Sequence, residues 1–67
     1  MYEPELLRTF LAVAHALSFT RAAAALGLRQ STVSQHVRRL EEAVGRELFV
    51  RDTRKVVLTA DGEALTG

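Results

Sequence analysis

Apolar residues near the start of the chain recur at Leu6, Phe10, Val13 and Leu17, with spacings of four, three and four. That rhythm predicts one buried face of an amphipathic helix. Leu7, Leu11 and Ala14 widen the face, while Arg8, Ala12 and His15 fall opposite, which makes His15 a surface residue. Pro4 suits the first helical turn, with Glu3 and Glu5 beside the positive end of the helix dipole. Ser18 ends this helix and opens a short corner with Phe19 and Thr20. Ser18 or Thr20 can then cap a second helix, Arg21–Leu26. Its four consecutive alanines combine good helix propensity with a surface that neighbouring helices can approach closely. Gly27 stops it by supplying the left-handed residue that follows a helix end.

A third helix runs from about Gln30 to Val44, with Gly45 as its stop. Its apolar stripe is Val33, Val37, Leu40 and Val44. Ser31, Gln35, Arg38 and Glu42 point the other way, flanked by Ser34 and Arg39. The first half of that outer face carries hydroxyl, amide and guanidinium groups, and the second half turns acidic at Glu41 and Glu42. One end of the helix is thus suited to lie against an anion. Beyond Gly45 the pattern changes to two short β-prone runs, Leu48-Phe49-Val50 and Val56-Val57-Leu58, around the polar stretch 51–55. This predicts a hairpin with a basic tip. Thr59 then caps a fourth helix with Asp61 and Glu63 in its first turn. There is no internal repeat, low-complexity tract or linker.

The spacing of Ala23, Gly27 and Val33 narrows the reading of the second and third helices. In a helix-turn-helix the two helices touch where a small residue such as Ala23 stands. Gly27 permits the sharp turn, and Val33 anchors the following helix to the core. The N-terminal side chains of that helix, Gln30, Ser31, Thr32, Ser34 and Gln35, can all hydrogen-bond base edges or phosphates. Arg38 and Arg39 behind them fit a reading helix clamped by phosphate contacts. The basic tip residues Arg51, Arg54 and Lys55 are placed like a wing that grips the backbone or reaches a minor groove. The fold class expected is mainly α: a winged helix-turn-helix of three helices and a two-stranded β-hairpin wing, then the start of a further helix.

Charge supports a polyanion partner through its distribution rather than its sum. The net charge is only +1, yet five arginines and no acid lie between Leu6 and Leu40. The chain is one small domain of 67 residues, 48% hydrophobic and 25% charged, which is ordinary for a globular fold. It has no cysteine, so a disulfide framework, thiolate metal site and cysteine nucleophile are excluded. His15 and His36 are far apart, with no ligand spacing around either, and no metal is expected. Serines, histidines and Asp52 and Asp61 are present, but no nucleophile turn or oxyanion loop accompanies them, so an enzyme is not expected. The ordinary role for His36 is a partly buried, hydrogen-bonded imidazole at a helix interface. A protein-binding module is the better rival, and salt separates it from phosphate binding. Apolar runs are far shorter than the roughly 20 residues of a membrane span, and the acidic N-terminus does not look like a signal peptide, so a cytoplasmic location is expected.

At this point the chain resembles a known family. Phe10-Leu11-Ala12-Val13-Ala14, Ser18-Phe19-Thr20-Arg21-Ala22-Ala23 and Gln30-Ser31-Thr32-Val33-Ser34-Gln35 look like LysR-type transcriptional regulators. So do Arg38-Arg39-Leu40-Glu41, Gly45, Leu48-Phe49 and Leu58-Thr59 with Gly62. The resemblance implies an N-terminal winged helix-turn-helix, a long linker helix that dimerises, and a C-terminal effector-binding domain. On that pattern residues 1–58 are the DNA-binding domain, and residues 59–67 are the start of a truncated linker helix. By the same resemblance Gln30, Ser31, Ser34 and Gln35 read bases, and Arg38 joins them or binds a phosphate. Thr20, Arg21 and Thr32 hold the backbone near the helix-turn-helix, and Arg51, Arg54 and Lys55 hold it from the wing.

Two departures from the family pattern stand out. Arg29 replaces a usual Ser or Thr, so the cap of the third helix is expected to be lost, and Arg29 is assigned to a phosphate instead. Ser31 stands where proline is frequent, which puts a hydroxyl on the reading surface. The implied partner is double-stranded DNA carrying an interrupted palindrome, bound by a homodimer or tetramer of the full-length protein. This chain alone is expected to be a monomer occupying one half-site. No cofactor is expected here; a small-molecule effector would bind the C-terminal domain.

Overall fold

The computed structural model describes residues 3–51 and 55–66. Within them the chain forms α1 (Pro4–Ala16), α2 (Phe19–Leu26), α3 (Gln30–Val44), β1 (Phe49–Arg51), β2 (Val56–Leu58) and α4 (Ala60–Thr66). This is the winged helix-turn-helix that the hydrophobic pattern predicts. No helix among the described residues is long and apolar enough to cross a membrane.

α1 packs against both α2 and α3. Its buried residues are Leu6, Thr9, Phe10 and Val13. The buried arc is therefore rotated toward Thr9 relative to the arc expected from the apolar residues alone. Leu11, expected at the edge of the face, is 48% exposed, and Ala12, expected outside, is half-buried against the core. Leu17 also departs from expectation. It is the C-cap in the left-handed region, with φ 51°, and its N–H closes onto the Val13 carbonyl. That conformation takes its side chain out of helical register and leaves it exposed.

α2 starts two residues earlier than predicted. The Ser18 hydroxyl accepts the Arg21 N–H at 3.1 Å, which makes Ser18 the N-cap and puts Thr20 inside the first turn. At the other end Gly27 adopts φ 68°, and the N–H groups of Gly27 and Leu28 close onto the carbonyls of Ala24 and Ala23. Ala23 is buried at the crossing and Val33 is fully buried, as the helix-turn-helix spacing requires. The stripe of α3 is buried at Val33, Val37 and Leu40, with Val44 half-buried.

The strands pair antiparallel in the register Phe49↔Leu58, Val50↔Val57 and Arg51↔Val56. Leu48 was expected in the first strand but precedes it, fully buried. Its backbone is engaged elsewhere: the N–H donates to Glu41 Oε2 at 2.9 Å, and the carbonyl accepts the Thr59 N–H at 3.0 Å. The ladder therefore starts one residue later and takes in Arg51, which the sequence had placed at the tip. Asp52, Thr53 and Arg54 lie outside the described residues.

Thr59 caps α4 as expected. Its hydroxyl accepts the Gly62 N–H at 3.0 Å and donates to the Glu47 carbonyl at 2.6 Å. Gly62 is buried in this helix, and a Cβ there would overlap the Leu48 carbonyl oxygen and crowd the Leu58 side chain. α4 thus meets the connection before β1 at backbone distance. Gly62→Ala should push α4 off this contact and destabilise the domain by about 1–3 kcal/mol, as overpacking does. A thermal melt read by circular dichroism would check this, with unchanged Tm as the contrary result.

Candidate nucleic-acid interface

The core stripe of α3 faces inward, so its opposite side is the exposed surface of the domain. Gln30, Ser31, Gln35, Arg38 and Arg39 are exposed, and Thr32 and Ser34 are half-buried beside them. From residue 30 to residue 40 the helix carries no acid. The predicted base-reading residues are therefore gathered at one end of one helix, with two guanidiniums one turn further on. Such a surface presents donors and acceptors of neutral charge flanked by positive charge, the composition suited to base edges beside phosphates.

Thr20 and Arg21 lie in the first turn of α2, both exposed. The Gly27 turn brings this end of α2 beside the start of α3, where the Thr20 hydroxyl donates to Gln30 Oε1 at 3.3 Å. Arg29 is the N-cap of α3, extended at φ −75° and ψ 149°, and its side chain makes no capping hydrogen bond. The loss of the cap anticipated from the sequence is thus present, and the guanidinium is exposed.

The wing contributes Arg51 and Lys55, both exposed; Arg54 is outside the described residues. Arg51 is placed by a contact the sequence did not reveal. Its guanidinium carbon lies 4.6 Å from the centroid of the Phe19 ring, in cation–π geometry. Phe19 in turn meets the Phe49 ring edge-on at 5.9 Å, and Phe49 meets Phe10 at 5.4 Å. The wing is therefore bonded to the first residue of α2 as well as to the core. Arg51 and Arg38 line one groove between β1 and α3, together with Glu41 and Glu47.

Two further polar groups have structural roles. Glu41, read from the sequence as part of an acidic outer face, turns its carboxylate to the N–H groups of Leu48 and Phe49, at 2.9 and 3.4 Å. His36 is half-buried, and its Nδ1 shares a 2.8 Å hydrogen bond with the Thr9 hydroxyl across α1 and α3. Thr9 is only 2% exposed. A signal for that pair existed, because Thr9 stands three residues after Leu6 on the buried stripe and His36 three after Val33. A polar group on a buried stripe requires a partner. Among the described residues no three His, Asp or Glu side chains gather closely enough to hold a metal ion.

Comparison with known proteins places this architecture. A model of bacterial regulatory helix-turn-helix proteins of the lysR family matches residues 4–63. The HTH-type transcriptional regulator BudR of Klebsiella aerogenes is 59% identical over 58 residues, covering 87% of this chain and 41% of that protein. A crystal structure of a transcriptional regulator of the LysR family from Eggerthella lenta superposes with a TM-score of 0.91 at 37% identity, covering 97% of this chain and 93% of the other. The BenM_DBD/catB site 1 DNA complex is similar with a TM-score of 0.91 at 38% identity, covering 96% of this chain and 71% of that one. The chain spans 19–41% of the length of the curated relatives it matches.

The uncapped start of α3 generates a stability prediction. Arg29→Ser restores an acceptor for the free N–H groups and should stabilise the domain by about 1 kcal/mol, raising Tm by roughly 4–8 °C. An unchanged or lower Tm would show that the Arg29 side chain contributes more in place than a cap would.

Proposed function

The chain belongs to the LysR family of bacterial regulatory helix-turn-helix proteins, and from that premise we propose that it binds double-stranded DNA sequence-specifically to regulate transcription. The observation that carries this reading is the exposed, acid-free first half of α3, held outward by its buried Val33, Val37 and Leu40. The similarity to a solved DNA complex supports it.

In the proposed mode α3 enters the major groove. Gln30, Ser31, Ser34 and Gln35 meet base edges, and Arg38 reads a base or neutralises a phosphate. Arg21, Arg29 and Thr32 hold the backbone beside the helix-turn-helix. The wing lies over the adjacent backbone or minor groove through Arg51, Arg54 and Lys55. One copy of the domain occupies one half-site of an interrupted palindrome, and pairing of copies belongs to the longer regulator, whose small-molecule effector binds elsewhere. The neutral readers supply specificity, because each lost base contact removes discrimination at one position. The cations supply affinity, because each neutralised phosphate releases counterions regardless of sequence.

Selection from a random duplex DNA pool at moderate salt tests the proposal. Enrichment of a single half-site or an interrupted palindrome is the expected outcome; binding without enrichment would reduce the contact to the backbone, and absence of binding would favour a protein partner. Within an enriched site, Gln35→Ala should relax preference at one base pair by roughly 1–3 kcal/mol. Lys55→Ala should instead weaken all sequences alike and lower the salt slope by about one unit. A Lys55→Ala protein with altered base preference and an unchanged slope would contradict this division of roles.

A further inference from the structure

We infer that Thr20 is a positioning residue for Gln30, and that the pair makes Gln30 a hydrogen-bond donor to the base it reads, favouring guanine over adenine. The inference rests on the DNA-binding reading above and takes Thr20 away from the phosphate backbone, the role that the family resemblance gives it.

The argument starts from the number of hydrogens. A threonine hydroxyl carries one, and phosphate oxygens only accept. In the structure that hydrogen is directed at Gln30 Oε1, 3.3 Å away. While it is held there, Thr20 has nothing left to donate to a phosphate. The contact is made between the second residue of α2 and the first residue of α3, at the two helix ends that the Gly27 turn joins. Both side chains are exposed, so nothing in the core demands this hydrogen bond. In it the Gln30 amide stands with its oxygen toward α2.

The chemical consequence follows from the amide itself. Its oxygen and nitrogen lie on opposite arms of Cδ, so an oxygen turned to α2 leaves the NH2 group as the arm free to approach a base. In the major groove, glutamine reads adenine by a bidentate contact, accepting from N6–H and donating to N7. That contact needs oxygen and nitrogen together on the base edge. With the oxygen retained by Thr20, the NH2 group seeks acceptors, and guanine offers two adjacent ones at O6 and N7. Thymine O4 offers one. Guanine is therefore the preferred partner, thymine the second, and adenine loses the advantage it has with a free glutamine.

The test is selection from a random duplex pool by the wild-type chain and by Gln30→Ala, Thr20→Val and Thr20→Ser. Thr20 is exposed, and thermal melts would verify that the variants are folded. Gln30→Ala identifies the base pair that Gln30 reads, as the position where preference is lost. At that position the wild type should select guanine. Thr20→Ser, which keeps the hydroxyl, should do the same. Thr20→Val should lose the preference for guanine over adenine by about fivefold or more, with preference at the rest of the half-site unchanged. Three results would overturn the inference while leaving the DNA reading intact: adenine selected by the wild type, preference unaltered in Thr20→Val, or Thr20→Val weakening every sequence equally with the base preference kept. That last result would return Thr20 to the phosphate backbone. A wild-type chain that enriches no sequence would overturn the DNA reading and this inference together.

Discussion

Phe49 is the side chain on which the relation between the wing and the helices depends. It is the first residue of β1, it is 3% exposed, and its ring contacts Phe10 of α1 and Phe19 of α2. Burying one such ring contributes about 1.5–3 kcal/mol, with aromatic pairing adding to it. A hairpin whose strands have three residues each does not stand alone in water. Anchored by Phe49 inside the helical core, it becomes a fixed part of the domain. Arg51 extends the same stack by lying over Phe19, so the strand that leaves the core is tied back to α2 two residues later.

Polar contacts set the angles that burial leaves open. The Glu41 carboxylate takes the N–H groups of Leu48 and Phe49 and thereby decides where β1 departs from α3. The Leu48 carbonyl takes the Thr59 N–H, and the bare backbone of Gly62 lets α4 settle against it. Thr9 and His36 lock α1 to α3 in a similar way. Directional bonds placed at the seams of an apolar core give one arrangement where packing alone tolerates several. That arrangement presents the start of α3 and the wing with a fixed spacing between them.

The start of α3 gives up some local stability. It has an arginine where a capping side chain would satisfy free N–H groups, a loss of about 1 kcal/mol. In exchange, a positive charge stands at the edge of a surface that otherwise carries neutral hydrogen-bonding groups. A domain of 67 residues has little stability to spare, which makes the tight seams around Leu48 and Gly62 more consequential.

The sequence by itself determined the number and order of elements, the helix-turn-helix and the exposed polar face of α3. These follow from periodicity, from Gly27 and Gly45 as helix stops, and from the alternation of polar and apolar positions, all of which are local. It also exposed the missing cap at Arg29, because capping is decided within one turn. Only the tertiary structure decided the rotation of α1 toward Thr9, the exposure of Leu17, the inward turn of Glu41, and the placement of Arg51 on Phe19. Three of these depend on a partner in another part of the fold, His36 for Thr9, the Leu48 and Phe49 amides for Glu41, and Phe19 for Arg51 across 32 residues, whereas Leu17 is exposed by its own left-handed C-cap closing onto Val13. Hydrophobic pattern says which face of an element is buried; it carries no record of which distant group will lie opposite.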